Sequence, residues 1–226
     1  MNAQFDRHAR TYDDDLNRAL SITGEDKQFF AERRVAFLAD CLAKLGETPR
    51  RAIDYGCGTG DTTSLLARRL HLDSVIGLDI SAKSLEVAKS SHPACRFLEP
   101  REYIPQGTID LAYCNGVFHH VAVAERTAML SYIQRCLCPG GIFAFWENNP
   151  LNPGTRYVMS RCDFDGDAIP ISSAEAKKLL AENGFQIVAV HFMFLFPRSL
   201  RAFRGLEPYV SRLPLGAQYQ VLCRKR

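Results

Sequence analysis

The feature that most constrains this chain is a run of alternating glycines, Gly56-Cys57-Gly58-Thr59-Gly60. The run follows a strand-like stretch, residues 51–55, and precedes a helical pattern that begins near residue 62. Glycine adopts positive φ without strain and lets a ligand lie against the backbone. The helix that follows directs unpaired N–H groups and the positive end of its dipole toward the same place. The stretch therefore predicts a small-molecule site between a strand and a helix.

The size and composition are typical of one globular domain. The chain has 226 residues, of which 46% are hydrophobic and 23% are charged, and a chain of this length can bury a sizeable core. We therefore expect a single domain over residues 1–226. The net charge is only +3 and the basic residues are scattered along the chain, which argues against a nucleic-acid partner.

Targeting and redox features indicate a cytoplasmic protein. The N-terminal residues lack the apolar core of a signal peptide, and the longest apolar run, residues 187–196, is too short to span a bilayer. The eight cysteines include no CxxC pair and mostly lie in apolar stretches, as buried free thiols do. The acidic residues 163–167 hint at a calcium loop, but the glycine is misplaced and the twelfth-position acid is absent. We expect no metal site.

Strand-like and helix-like stretches alternate along most of the chain. Strands are predicted at residues 51–55, 74–80, 95–98, 109–114, 142–146, 186–196 and 218–224, and helices at residues 29–45, 62–70, 81–90, 124–137, 173–183 and 198–213. Such alternation favours a mainly parallel sheet with helices on both faces. Ligands of such sheets collect outside the carboxyl ends of the strands, near the topological switch point.

The residues around the glycine run narrow the choice of ligand. A dinucleotide fingerprint needs a third glycine where this chain has Asp61, and an aspartate at that helix start would repel a pyrophosphate. Asp79 ends a strand about 20 residues further on, as expected for a carboxylate that accepts from both hydroxyls of a ribose. The alternative role for Asp79 is to cap the helix that starts near Ser81.

Three further motifs follow the glycine run. They occupy residues 77–81 (Gly-Leu-Asp-Ile-Ser), 110–121 (Asp-Leu through His-His-Val) and 137–141 (Leu-Cys-Pro-Gly-Gly). Together with Asp54-x-Gly56-Cys57-Gly58-Thr59-Gly60, they resemble the class I S-adenosylmethionine-dependent methyltransferases over nearly the whole chain, from about residue 29 to residue 224. The resemblance implies an α/β fold with a seven-stranded, Rossmann-like sheet, mostly parallel with an antiparallel last strand, and helices on both faces.

The resemblance also implies S-adenosylmethionine as cofactor and S-adenosylhomocysteine as product. Asp54 would act on the amino group, Asp79 on the ribose and Ile80 on the adenine. The remaining residues that we expect around the cofactor are Gly56, Cys57, Gly58, Gly60 and Asn115. The family usually places an acid after the third strand to accept from the adenine amine. This chain has Pro100 there, so Glu99 is the expected substitute.

Methyl transfer is an in-line displacement, so the protein mainly aligns the nucleophile, the methyl carbon and the sulfur. A hydroxyl or ammonium acceptor must also lose a proton, and a nearby base helps. His119 and His120, after the fourth strand, and Glu147, after the fifth, are the candidate bases. The alternative for the histidines is packing or hydrogen bonding to the residues around the site. The alternative for Glu147 is to hold the turn that follows it.

Substrate selection is expected in residues 150–170, a long irregular stretch that carries Arg156, Tyr157 and Arg161, and in residues 197–214. The arginines could bind a carboxylate or phosphate, or simply be solvated. Residues 1–28 resemble the lid of small-molecule members of the family, and Tyr12 would close over the cofactor; the alternative is a frayed terminus. The apolar arm over residues 192–213, with Phe194, Phe196 and Phe203, could wall the acceptor pocket, belong to the core, or form a dimer face.

These features predict S-adenosylmethionine-dependent methyl transfer to a small molecule, with O, N and C acceptors left open. A rival interpretation is a cofactor-binding scaffold without catalysis, because the motifs indicate that the cofactor binds and do not indicate turnover. A nicotinamide oxidoreductase is disfavoured by Asp61 at the third-glycine position.

Overall fold

The computed structural model describes residues 12–162 and 166–226, and side chains from Leu16 onward within the first range. The helices are α1 (Tyr12–Leu20), α2 (Lys27–Leu45), α3 (Asp61–Arg69), α4 (Ala82–Ser91), α5 (Val123–Cys136), α6 (Pro153–Met159), α7 (Ser173–Glu182) and α8 (Glu207–Val210). The strands are β1 (Arg51–Tyr55), β2 (Ser74–Leu78), β3 (Arg96–Leu98), β4 (Ile109–Asn115), β5 (Leu137–Asn148), β6 (Phe185–Met193) and β7 (Gln218–Lys225). Short 3₁₀ helices include Phe118–His120 and Arg198–Leu206.

The strands form one seven-stranded sheet in the order β3-β2-β1-β4-β5-β7-β6. The first five strands are parallel, and β7 runs antiparallel to both of its neighbours, β5 and β6. The predicted fold class is confirmed. The strand order reverses between β1 and β4, so the carboxyl ends of these two strands flank the crevice where such sheets bind ligands.

Hydrophobic clusters lie on both faces of the sheet, and the central strand β5 contributes apolar side chains to both. Phe143 and Phe145 point into the cluster that packs against α5 and α7, whereas Ala144 and Trp146 point into the cluster under α2 and α3. This alternation follows from the two-residue repeat of a strand. The central strands are thus held rigidly between two helical layers, and their carboxyl ends provide a firm base for a site.

Several helix boundaries follow directly from local signals. Asp26 caps α2 by accepting from the backbone N–H of Phe29 at 2.8 Å. The predicted cap of α4 is confirmed, since Ser81 accepts from the N–H of Ser84. The predicted capping box of α7, between Ser172 and Glu175, is also confirmed.

Three predicted elements need correction. The turn expected at residues 139–141 lies inside β5, which begins at Leu137 because that residue pairs with Ile109 before the register shifts. The stretch expected to be irregular contains α6, which Asn152 caps by accepting from the N–H of Thr155 at 3.0 Å. The helix expected at residues 198–213 is a 3₁₀ helix followed by the single turn of α8.

In residues 12–162 and 166–226, no helix is both long enough and apolar enough to cross a bilayer. The same ranges contain no group of three or more His, Cys, Asp or Glu side chains placed to hold a metal ion. Residues 163–165 of the acidic stretch that resembles a calcium loop lie outside the described residues, as does the N-terminal part of the predicted lid.

The packing of α2 on the sheet yields a stability prediction. Leu38 is fully buried under this helix, whereas Leu45, in its last turn, is 38% exposed. We expect Leu38→Ala to lower the free energy of unfolding by about 2–5 kcal/mol, because it removes buried methyl groups and leaves a cavity. Leu45→Ala is the matched control and should cost about 0.5 kcal/mol or less. Denaturant unfolding measures both, and equal losses would contradict the assigned packing.

Candidate active site

The glycine loop lies at the carboxyl end of β1 and is fixed to the end of β2. The N–H groups of Gly56 and Cys57 both donate to the carbonyl of Leu78, at 2.7 and 3.1 Å. Gly56 and Gly58 have positive φ, at 77° and 53°. A Cβ on Gly56 would clash with the side chain of Val117, whereas a Cβ on Gly58 would meet no described residue within 4 Å. Gly56 is therefore required for packing, and Gly58 opens the backbone to the space above it.

A cavity of about 450 Å³ lies over this loop and is called the first cavity. Six of the residues predicted to bind the cofactor line it: Gly56, Cys57, Gly58, Asp79, Ile80 and Asn115. Pro100 and Tyr132 contribute further wall. The Oδ1 atom of Asn115 is buried and has no hydrogen-bond partner among the described residues. A buried polar atom without a partner is costly, so this atom marks a place where a ligand would be bound.

Asp79 joins the two loops that border the first cavity. Its Oδ2 accepts from the N–H of Gly58 at 2.8 Å, and its Oδ1 accepts from the N–H of Ser81 at 2.9 Å. The side chain therefore fixes the start of α4, as the capping alternative requires, and also faces the first cavity, as the ribose-binding role requires. Both roles are compatible, because a carboxylate accepts at two oxygens, with about four lone-pair sites.

Asp54 lies beneath the glycine loop rather than in the wall of the first cavity. It is 2% exposed and accepts from the hydroxyl of Thr63 at 2.7 Å. Burial raises the pKa of Asp54 from 3.8 to about 7, and the nearby Asp79 adds to this, while the Thr63 hydrogen bond and Arg34 oppose it. A group that titrates near neutrality in this position would respond strongly to a cation bound above it.

Two further predicted cofactor residues, Gly60 and Glu99, are not among the residues that line the first cavity, and a third, Tyr12, has no described side chain. The carboxylate of Glu99 pairs with the exposed Arg101, at 2.8 and 2.9 Å. Gly60 is not in the wall either, since it packs against Phe97, whose ring a Cβ would approach to 2.7 Å. Tyr12 begins α1, and its side chain lies outside the described residues.

His119 and Glu147 form a buried pair at the ends of β4 and β5. They are 3% and 0% exposed, and Nδ1 of His119 lies 2.6 Å from Oε2 of Glu147. Oε1 of Glu147 accepts from the N–H of Phe118 at 2.7 Å. Burial alone would raise the pKa of Glu147, but the charge and hydrogen bond of His119 and the Phe118 N–H outweigh it and hold this pKa below its ordinary value. Since an ionised carboxylate only accepts, Nδ1 of His119 carries the hydrogen between them.

A second cavity of about 360 Å³ adjoins the first. The residues that line both are Leu16, Lys27, Arg34, Asn115, Gly116 and His120. His119 and Tyr157 line only the second cavity. Arg156 and Arg161, predicted to bind substrate, are exposed and line neither, and the guanidinium of Arg161 lies 5.2 Å from the ring centre of Tyr157.

The wall of the second cavity is largely apolar and its peripheral charges are paired. Aromatic and aliphatic side chains include Phe29, Phe30, Tyr157, Met159, Phe194 and Phe196. Three cation–carboxylate pairs border it: Arg204 with Glu25 at 2.9 Å, Arg33 with Glu207 at 3.6 Å, and Lys27 with Asp61 at 2.6 Å. Of the four Lys and Arg side chains that line this cavity, Arg34 alone forms no ion pair with a described residue.

Sequence reasoning missed Arg34, which is 6% exposed and borders both cavities. Its Nε donates to the hydroxyl of Tyr113 at 3.2 Å and its Nη1 donates to Oε1 of Gln218 at 2.9 Å. No carboxylate in the described ranges forms an ion pair with it. The available signal was the helical spacing, since Arg34 falls between Phe30 and Leu38 on the apolar face of α2.

The buried carboxylate of Asp54 yields a pH prediction. Its folded-state pKa, about 7, exceeds the ordinary value of 3.8, so the folded state binds more protons between these pH values. The free energy of unfolding therefore falls as the pH rises through this window. We expect the Asp54→Asn variant to lack this pH dependence. The free energy of unfolding of the variant minus that of the parent should then increase by up to about 4 kcal/mol between pH 4 and pH 8.

Denaturant unfolding at several pH values measures this difference. Asp40→Asn, which changes an exposed carboxylate of α2, is the matched control and should run parallel to the parent. A parent and an Asp54→Asn variant whose stabilities keep a constant difference across the range would refute the assignment.

Comparisons with known proteins agree with this geometry. A family model described as a methyltransferase domain matches residues 52–141. Trans-aconitate 2-methyltransferase of Methylobacterium radiotolerans is 36% identical over 133 residues, which are 58% of this chain and 50% of that protein. The Rhizobium rhizogenes enzyme of the same name is 29% identical over 179 residues, 76% of this chain and 66% of the relative. The chain thus spans about half to two thirds of the length of these relatives.

A solved structure shows the same fold. Magnesium protoporphyrin IX methyltransferase from Synechocystis, determined with bound S-adenosylmethionine, superimposes with a TM-score of 0.64 at 19% identity, over 98% of this chain and 94% of that one. Residues 52–141 thus match a methyltransferase domain, and the seven-stranded sheet with its glycine loop above β1 has the fold of the S-adenosylmethionine-dependent methyltransferases.

Proposed function

We propose that this protein transfers a methyl group from S-adenosylmethionine, held in the first cavity, to a small molecule held in the second. The observation that carries the proposal is that the two cavities meet at Asn115, Gly116 and His120, beside the glycine loop. A donor and an acceptor placed on either side of this junction would be held in contact, which is the main requirement of an in-line displacement.

The residues of the first cavity fit the cofactor. Gly58 leaves space above the backbone, Asp79 presents a carboxylate for the ribose hydroxyls, and Ile80 and Pro100 offer apolar surface for the adenine. The unpartnered Oδ1 of Asn115 would accept a hydrogen bond at the methionine portion. When bound, the cofactor supplies an activated methyl group on a sulfonium.

Two buried charges match the ends of the methionine portion. Asp54 lies below the loop and would be drawn toward its ionised form by the ammonium group, directly or through water. Arg34 borders the same cavity, and its Nη2 nitrogen makes no hydrogen bond within the described ranges. We assign it to the carboxylate, because a guanidinium binds that group with charge-assisted hydrogen bonds.

The His119–Glu147 pair supports a role in removing the proton of the acceptor. Glu147 holds a hydrogen of His119 on Nδ1, so Nε2 is the atom that would take the proton of the acceptor whenever the ring is uncharged. His120 lies beside it, with ring centres 4.1 Å apart, and lines both cavities. Of the three candidate bases, we therefore propose His119 as the base and Glu147 as the residue that positions it.

The second cavity favours an apolar acceptor with one nucleophilic group. The curated relatives are named after trans-aconitate, a tricarboxylate, which would require several unpaired cations. Around this cavity, Arg204, Arg33 and Lys27 each have a carboxylate partner. The acceptor that this wall suits is a molecule with an apolar body and a single hydroxyl or similar group near His119.

Cofactor binding is the direct test of the first step. We expect S-adenosylmethionine and S-adenosylhomocysteine to bind the intact protein, and Asp79→Ala to weaken both at least tenfold, because charge-assisted hydrogen bonds to the ribose are lost. Isothermal titration measures the affinities. Asp73→Ala, which changes an exposed carboxylate paired with Arg50, is the control. No binding to the intact protein, or equal affinity after Asp79→Ala, would overturn the proposal.

The transfer step is tested by release of S-adenosylhomocysteine with an acceptor panel of phenols, long-chain alcohols and trans-aconitate. We expect turnover with the apolar acceptors. His119→Gln should then lower kcat by roughly 10²–10⁴-fold, the usual contribution of a general base, with little change in cofactor affinity. His120→Gln is the comparison and should lose much less.

The pH profile separates a base from a packing residue. Loss of a base removes the low-pH limb of the kcat profile, whereas a packing defect lowers kcat uniformly. Cofactor binding without turnover of any acceptor would favour the scaffold interpretation. Turnover of trans-aconitate alone would keep the methyltransferase and reject the apolar acceptor.

A further inference from the structure

The segment after β6 carries an apolar stripe that faces outward. Its 3₁₀ helix and α8 place a large apolar side chain at every third position: Leu200, Phe203, Leu206 and Tyr209, which are 44%, 51%, 52% and 87% exposed. Side chains three residues apart lie on the same face of a 3₁₀ helix, so the regular part of this helix, from Phe203 onward, presents them together. Leu213 and Leu215 extend the exposed apolar surface, each 50% exposed. We call this surface the outer stripe.

Two of the three arginines of the same 3₁₀ helix, Arg198 and Arg204, contact the protein instead. Arg198 donates to the carbonyl of Gly24 at 3.2 Å. Arg204 pairs with Glu25 at 2.9 Å and lies over the ring of Phe29, 4.6 Å from its centre. The usual arrangement of a surface helix, with apolar residues inward and charges outward, is thus reversed. Folding alone gives no reason to expose such a stripe, and exposed apolar patches mark interaction surfaces.

The charges beside the outer stripe indicate what covers it. Residues 194–217 contain four arginines and one acidic residue, Glu207, which is 7% exposed and turned inward. Arg201 and Arg212 are exposed next to the apolar side chains. Exposed apolar and aromatic side chains flanked by arginines suit the boundary of a bilayer that contains anionic lipids. A second copy of the chain suits it less, because an isologous contact would bring the same positive charges together.

The outer stripe is also continuous with the second cavity. Phe196 and Pro197 line that cavity and lead directly into the 3₁₀ helix. The ring of Phe196 lies 5.9 Å from that of Phe203, measured between ring centres. We propose that the outer stripe binds the surface of an anionic lipid bilayer, with Phe203, Leu206 and Tyr209 in its interfacial layer and Arg201 and Arg212 at the headgroups.

Sedimentation with vesicles tests this inference without any measurement of methyl transfer. We expect the full chain to bind vesicles of phosphatidylcholine with 30% phosphatidylglycerol, and to bind pure phosphatidylcholine vesicles several-fold more weakly. The double variant Phe203→Ser, Leu206→Ser should bind anionic vesicles at least tenfold more weakly. The matched control is Ile104→Ser, Val123→Ser, which removes two apolar side chains exposed by 76% and 62% elsewhere, and it should bind like the parent.

The charge contribution has its own variant. Arg201→Gln with Arg212→Gln should weaken binding to anionic vesicles and leave binding to neutral vesicles unchanged, and salt should have the same selective effect. Thermal unfolding checks that each variant is folded. Three results would overturn the inference: no binding of the parent to anionic vesicles, equal loss in the control variant, or a concentration-dependent dimer that Phe203→Ser, Leu206→Ser abolishes while vesicle binding is unaffected.

Discussion

The site depends on the hydrogen bonds that fasten the glycine loop to the end of β2. The carbonyl of Leu78 accepts from two loop N–H groups, and Asp79 accepts from a third, that of Gly58. These bonds hold the loop at the edge of the first cavity, and they satisfy N–H groups that would otherwise be buried without partners. They also set the position of Asp79, since the same carboxylate holds the start of α4 through Ser81. One short segment of backbone thus determines the shape of the loop and the direction of the ribose-binding carboxylate. A change at Asp79 therefore affects both the preformed loop and the contact with the ligand.

The polar groups beneath the two cavities are arranged so that few of them are exposed to water. Asp54 is stabilised by the Thr63 hydroxyl, Glu147 by His119 and the Phe118 N–H, and Arg34 by Tyr113 and Gln218. Buried groups of this kind are expensive unless they are paired, and the pairing here is partial for Asp54 and for Asn115. In our proposal, the cofactor completes both, so that its binding relieves a cost already present in the folded protein. This arrangement would couple affinity for the cofactor to the protonation of Asp54.

The fold could be predicted from the sequence to a large extent because its signals are local. Strand periodicity, the Ser81 cap and the Ser172–Glu175 capping box each depend on residues within a few positions of one another, and the structure confirms them. The prediction was wrong where the structure of a segment depends on residues far away in the sequence. The Pro-Gly-Gly sequence at residues 139–141 has the character of a turn, yet pairing of Leu137 with Ile109 draws it into β5. The same holds for the site, since Arg34 becomes a site residue only because Tyr113 and Gln218, far along the chain, lie against it. Composition cannot reveal such partners.

One side-chain contact connects the second cavity, where the acceptor would bind, with the outer stripe on the helical segment after β6. Phe196 belongs to the wall of the second cavity, and its ring contacts Phe203, which belongs to the outer stripe. A molecule with an apolar body would leave water at little cost while it moved along such a surface, whereas a polyanion would have to give up its hydration. The pairing of Arg204 with Glu25 has the same effect at the edge of the cavity, since it cancels a charge that would otherwise attract anions. The wall, the paired charges and the outward apolar side chains therefore favour the same kind of acceptor. If the outer stripe binds a bilayer, the second cavity lies next to the phase in which such an acceptor would be most concentrated.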